Sequence, residues 1–418
     1  MNSQASEEGT DLRQMIRILV LVGALGIAAV GFVGAGLGML VSILHPTGDS
    51  LTTLTLSACV LALASGLGLA LAWQAWQSIL GKASGPFRPP RIGPWILLFL
   101  LAIPAGQSIL SLNLLPALTF PPFHILAAVL PALIIVAAVG RNVASGLRWR
   151  EVVLEISSGA FVATSLAFAL ELAAVFGLLM AVMTVVMAQP GGLEIIQGLM
   201  DHLQDPTWLQ DPAALGPEVL SPAILGLAFL LFAGIVPVIE EAVKTLGVGL
   251  LIHRRPDLSR AFLWGLAAGA GFALAEGLFN AAGGLEAWAF VASLRTGATA
   301  LHCFTGGLMG IAWYYGVIER RVLQGLGLYV GCVALHGAWN TLAAGAAVIS
   351  LGALPDQAAS VSWNVGGVGT AAILGLLLLL ACGTGFGLWS LTRTVRRLSR
   401  VAEAGAQPEA SSPPPPAD

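Results

Sequence analysis

Apolar residues fall in long unbroken runs along this chain, and these runs, rather than an amphipathic period, define its elements. Ten runs approach or exceed the roughly 20 residues a helix needs to cross a bilayer. They lie at 17–44, 51–80, 94–113, 122–140, 157–187, 221–252, 261–282, 296–318, 323–350 and 366–391. The pattern predicts an all-α, polytopic integral membrane protein with about ten transmembrane helices. Residues 1–16 are polar and read as a disordered cytoplasmic lead, and the Pro-rich stretch within 392–418 reads as a disordered cytoplasmic tail.

Charge placement tests the count, because Lys and Arg collect in cytoplasmic loops. Arg13 and Arg17 precede the first run; Lys82, Arg88 and Arg91 follow the second; Arg141, Arg148 and Arg150 follow the fourth. Arg254, Arg255 and Arg260 follow the sixth, Arg320 and Arg321 the eighth, and Arg393, Arg396, Arg397 and Arg400 the tenth. Of 19 Lys and Arg, only Lys244 and Arg295 fall outside this alternation, which puts both termini in the cytoplasm. Five helices at 17–187 form an accessory membrane region, 221–350 a four-helix core, and 366–391 a final span. The outer loop at 188–220 is acidic, and Leu193, Ile196, Leu199, Met200 and Leu203 recur in it at helical spacing. That spacing predicts a short amphipathic helix at the outer interface, either a connector or a lid.

Composition agrees. The chain is 57% hydrophobic and 10% charged, whereas soluble domains carry about 25% charged residues. The net charge of −3 and the lack of a basic patch outside short loops give no footing for nucleic acid. Cys59, Cys303, Cys332 and Cys382 are isolated in apolar runs, so neither a disulfide framework nor a thiolate metal site is indicated. The first run is too long for a signal-peptide core and reads as a retained span.

The informative residues are the polar exceptions. Of 22 acids only Glu171, Glu240, Glu241 and Glu276 fall deep in a run; of six histidines only His302 and His336 do, with His124 at a run's edge. A charge at a bilayer centre costs about 2.5–3.5 kcal/mol by insertion scales, so such residues need partners. At 1.5 Å per residue, Glu240 lies roughly 20 Å from its cytoplasmic marker, Glu276 roughly 24 Å, His302 roughly 27 Å and His336 roughly 22 Å. Four consecutive helices thus hold two Glu and two His at similar depth. Glu240 and Lys244 are spaced for an i,i+4 ion pair, and Pro237 frees a carbonyl beside them. Phe272, Glu276 and Asn280 share one helix face, and His336 shares another with Asn340. Gly265/Gly269, Gly306/Gly310 and Gly327/Gly331 are small-x-x-x-small pairs that permit close helix contact.

Glu-Glu-x-x-Lys at 240–244, Phe-x-x-x-Glu at 272–276, His302 before Cys-Phe-Thr-Gly-Gly, and His336-x-x-Trp-Asn340 together resemble the four motifs of the PrsW intramembrane proteases. The resemblance covers about 222–342. The related CAAX prenyl endopeptidases carry His where this chain has Glu276, which favours the PrsW branch. The resemblance implies hydrolysis of peptide bonds in membrane-anchored proteins, anti-sigma factors being the associated class, in a bacterial cytoplasmic (inner) membrane. Glu240 and Glu276 would hold and deprotonate water, with Glu241 and Lys244 supporting them or Glu241 exchanging roles with Glu240. Asn340 would stabilise the oxyanion. Glu276, His302 and His336 would bind zinc if a metal is used; a metal-free glutamate site is the other option. The expected partners are a membrane-embedded protein substrate and the lipid bilayer. Two further readings of the same residues are a proton- or ion-coupled transporter and a non-catalytic scaffold or self-immunity protein.

Overall fold

The computed structural model describes residues 2–45, 50–143, 146–205, 221–283, 285–352 and 366–406. Among the described residues every extended element is helical, and nine helices are long and apolar enough to cross a membrane. The chain is an all-α polytopic membrane protein. Exposed aliphatics such as Val30, Leu118 and Leu323 (74, 76 and 84% accessible) fit a surface whose solvent is lipid.

The helices are α1 (Asn2–Leu44), α2 (Ser50–Ala62), α3 (Leu69–Ile79), α4 (Gly93–Ser111), α5 (Pro116–Val143), α6 (Trp149–Ser157), α7 (Thr164–Met187) and α8 (Gly192–Gln204). They continue as α9 (Pro222–Phe229), α10 (Val236–Val243), α11 (Leu246–Leu251), α12 (Leu258–Asn280), α13 (Trp288–Trp313), α14 (Val322–Gly352) and α15 (Gly366–Ala406). Helix α8 sits where the outer loop's apolar spacing predicts one; the rest of that loop, 206–220, lies outside the described residues.

Three differences from the hydropathy pattern have physical causes. Helix α1 starts at Asn2, where a disordered lead is expected: extending an existing helix adds a hydrogen bond for each residue fixed. At the other end α15 runs to Ala406, and 407–418 lie outside the described residues. Helix α13, the eighth expected span, is 26 residues long but is not among the nine, because it carries Arg295, Thr296, Thr299, His302, Thr305 and several glycines. Its polar positions are tolerated because His302, Thr299 and Thr305 are buried. Third, the fifth expected span begins earlier, at Trp149, so Glu151 and Glu155 join the helical run. Glu151 accepts from the Arg148 backbone N–H (3.3 Å) and pairs with Arg260 (3.5 Å), while Glu155 is fully buried.

The chain divides into two compact units. The first comprises Met1–Phe161, Thr245–Leu326 and Thr384–Asp418; the second comprises Val162–Lys244 and Gly327–Gly383. The four helices expected to form one core at 221–350 are therefore shared between two units.

In the first unit α12 is central, packing against α2, α5, α6 and α13. Nearly all of it is buried, and its many Gly and Ala residues let neighbours approach closely. A Cβ at Gly265 would meet the Gly306 carbonyl and the Gly310 backbone, and one at Gly269 would meet the carbonyl of His302. Two of the glycine pairs are thus a helix contact, and they set α13 against α12 at the height of His302. Gly327 and Gly331 have nothing within 4 Å, so the third pair marks no contact. His124, expected at a span edge, is buried: α5 starts at Pro116, ahead of the predicted boundary. Its Nδ1 accepts from Trp288 Nε1 (2.9 Å), a donor-only group, so Nε2 carries the proton and donates to the Leu278 carbonyl (2.9 Å). The imidazole thereby ties α5 to α12 and α13.

In the second unit α10 packs on α7 and continues from a π-helical segment, Leu230–Ile235. The Val236 N–H reaches back five residues to Leu231 O. Pro237, next in that ladder, has no N–H to give Phe232 O.

Gly269→Leu is expected to lower the stability of the detergent-purified protein by about 1–3 kcal/mol, the usual cost of overpacking. Gly327→Leu, pointing into open space, is expected to leave the melting temperature unchanged. Equal melting of both variants would contradict the glycine contact.

Candidate functional site

Polar side chains collect in one set in each unit. In the second unit the set is built on α10 and α14. Lys244 Nζ lies 2.5 Å from Glu241 Oε1, and both side chains are fully buried. The expected i,i+4 pair with Glu240 is thus replaced by an i,i+3 pair with Glu241. Glu241 has no water access, whereas the Glu240 side chain retains 7%, and the ammonium compensates the more deeply buried charge. His336 Nδ1 approaches the same Glu241 oxygen at 2.9 Å. Its Nε2 lies 3.6 Å from Glu240 Oε2, too long for a hydrogen bond.

Asn340, one turn beyond His336, donates to the Phe232 carbonyl at 2.8 Å. This is the oxygen Pro237 leaves without its ladder donor. Gly337 lies against the neighbouring Ala233 carbonyl, where a Cβ would collide. Tyr329 Oη donates to Val238 O (2.9 Å). The carbonyl that Pro237 frees therefore helps dock α14, and with it His336, onto α10.

In the first unit the set joins α12 and α13. His302 Nε2 lies 2.8 Å from Glu276 Oε2, and Arg295 Nη2 lies 2.8 Å from the same oxygen. Arg295 and His302 are seven residues apart, two turns on one face. Asn280 approaches Glu276 Oε1 at 3.4 Å, and the Phe272 ring centroid lies 5.4 Å from that of His302. Phe272, Glu276 and Asn280 share the face predicted for them. Arg295 was not predicted as a site residue; its signal was its place as one of two cations outside the charge alternation.

The two sets are built alike. In each, a single carboxylate oxygen meets both a cation and an imidazole: Glu241 Oε1 with Lys244 and His336, Glu276 Oε2 with Arg295 and His302. A ring N–H held by a carboxylate fixes tautomer and orientation, the arrangement that supports metal-binding histidines. In the neutral rings it leaves the lone pair on Nε2 of His336 and on Nδ1 of His302. The 3.6 Å between His336 Nε2 and Glu240 Oε2 is close to the roughly 3.4 Å edge of a tetrahedral site with ligand bonds of about 2.0–2.1 Å. Imidazole nitrogen and carboxylate oxygen are donors that zinc accepts.

Carboxylates and imidazoles, buried or half-buried together in helices that cross a membrane, mark a candidate acid–base site of a membrane-embedded protein. The model of the PrsW family of intramembrane metalloproteases matches residues 147–365, just over half of the chain, and the chain belongs to that family. No curated protein and no solved structure matches it. The matched stretch takes in α6 and α7, ahead of the motifs that begin at Glu240. The family makes the chain an intramembrane protease and favours that reading over the transporter and the scaffold.

Removing Lys244 leaves a buried carboxylate uncompensated, which costs about 3–5 kcal/mol. Lys244→Met is therefore expected to be strongly destabilised, and Lys244→Met with Glu241→Gln to regain most of the loss. A double-mutant cycle on melting in detergent measures this; two purely additive losses would contradict the pairing.

Proposed function

We propose that this protein is a metal-dependent endopeptidase that hydrolyses peptide bonds of single-span, membrane-anchored proteins, with anti-sigma-factor-like proteins as the substrate class. The bacterial cytoplasmic membrane is its proposed site of action. The observation carrying the reading is the twofold carboxylate–imidazole arrangement in a chain of the PrsW family. As the motif resemblance implies, residues of both sets take part in one reaction. Glu240 and His336, 3.6 Å apart in the second unit, would hold the metal, with His302 the further ligand that the motif resemblance implies. When bound, a zinc ion polarises the scissile carbonyl and lowers the pKa of water.

The remaining roles fall to the side chains. Glu241 and Lys244 orient His336 through Nδ1, and Arg295 and Glu276 orient His302 through Nε2. Glu276 also takes the proton from the attacking water; Oε2 is engaged by Arg295 and His302, so the proton goes to Oε1. The water oxygen bonds to the carbonyl carbon, the C–N bond breaks, and Glu276 returns the proton to the leaving amine. Asn340 holds one amide hydrogen on Phe232 O and turns the other to the oxyanion. Relative to the zinc set read from the motifs, Glu240 replaces Glu276 as a ligand, because Glu276 stands in hydrogen-bonding distance of His302.

The test is cleavage of a tagged single-span protein co-reconstituted with the full chain in liposomes. Wild type is expected to cut it, to lose activity with a chelator and to regain it with zinc. Glu276→Gln is expected to lose about 10²–10⁴-fold, the range for a missing proton-transfer group. Arg295→Met, a positioning change, is expected to lose about 10–100-fold. His336→Ala is expected to abolish metal retention. Full cleavage by a metal-free preparation would overturn the metal and leave a glutamate protease. Cleavage persisting in both Glu276→Gln and His336→Ala would overturn the site, and solute uptake that tracks a proton gradient would restore the transporter.

A further inference from the structure

A cavity of about 320 Å³ opens between α5 and α15 in the first unit, at the ends of both helices that carry arginines. It belongs to neither polar set. Its lining changes character along both helices in the same direction. The inner part is apolar: Ile135, Ala138 and Val139 on α5, and Leu388 on α15. One to two turns on, the lining becomes Asn142, Thr392, Arg393 and Arg396. From Leu388 to Arg396 the gradient spans about 12 Å.

Among the described residues lining the mouth, the charge comes from the arginines. Asn142 and Thr392 turn back on their own helices, donating to Ala138 O (2.7 Å) and Leu388 O (2.6 Å). The Arg393 guanidinium is stacked on Trp389, 3.8 Å from the ring centroid, which fixes its position at the rim. Among the described residues no acid lines the cavity, and neither Arg393 nor Arg396 has a carboxylate within ion-pair distance. Arg141 and Arg397 flank the mouth in sequence and add to its field. An apolar floor leading to an uncompensated cationic rim, at the end of two membrane-crossing helices, has the polarity profile of a phospholipid.

We propose that this cavity is a binding site for one anionic phospholipid of the surrounding bilayer, its phosphate held by Arg393 and Arg396 and the start of an acyl chain seated on Ala138, Val139 and Leu388. A basic pocket between transmembrane helices on the arginine-rich side is the setting in which such headgroups bind. Its volume is within the range of small-molecule sites, about 300–1,000 Å³. The remainder of the lipid stays in the bilayer.

Native mass spectrometry of the full-length protein, with phosphatidylglycerol or phosphatidylcholine added in detergent, tests this. Wild type is expected to retain one phosphatidylglycerol per chain in preference to phosphatidylcholine. Arg393→Gln with Arg396→Gln is expected to weaken that binding roughly thirtyfold, the worth of two arginines beside an anionic headgroup. Ala138→Phe, which fills the floor and keeps every charge, is expected to lose it too; if that variant melts early, the arginine pair decides. Arg88→Gln with Arg91→Gln, a cationic pair outside the cavity lining, is expected to bind as wild type does. Equal uptake of the two lipids, unchanged binding in the arginine variant, equal loss in the Arg88/Arg91 control, or displacement of the lipid by inorganic phosphate would each overturn the proposal.

Discussion

A lysine ammonium buried against a glutamate is the constraint on which the second unit depends. Glu240 and Glu241 are both buried, and buried carboxylates are unfavourable unless a cation meets them. Lys244 provides that cation, and its contact with Glu241 gives His336 a charged, fixed acceptor. The imidazole is then oriented by its Nδ1, so that Nε2 turns toward Glu240. Pro237 serves the same end through the backbone, opening the carbonyl that anchors Asn340. Position of the imidazole, charge compensation and helix docking are thus one coupled arrangement.

The first unit repeats the solution with different residues. Arg295 takes the place of Lys244, Glu276 that of Glu241, and His302 that of His336, with the carboxylate bound through Nε2 instead of Nδ1. The scaffold differs as well. There a glycine contact between α12 and α13 sets the approach, and the His124–Trp288 link braces it from behind. A cation and an imidazole sharing one carboxylate oxygen is an economical way to compensate the carboxylate's charge and hold a histidine in one orientation.

Much of this was legible in the chain because an apolar background makes a charge conspicuous. Glu240, Glu276, His302 and His336 stood out for that reason, and counting residues from the arginine-rich loops paired them by depth. The same background hid residues near span ends. Hydropathy blurs a boundary by several residues, so Glu155 and His124 read as peripheral when both are buried. Arg295 read only as a cation outside the charge alternation. The partner of Lys244 was misjudged because helix spacing alone favours i,i+4, and which carboxylate is deeper is a property of packing. The polarity of α13 was visible in its residues, but its burial against protein was not.

The central claim is the proposal that residues of both sets are needed for one reaction, and the most direct measurement is the additivity of their variants. kcat/KM for a membrane-anchored substrate would be compared in Glu240→Gln, Glu276→Gln and the double variant. Residues that work as a unit are far from additive, so the double variant is predicted to be about as impaired as the worse single variant. Losses that multiply, or a single variant with full activity, would contradict the account.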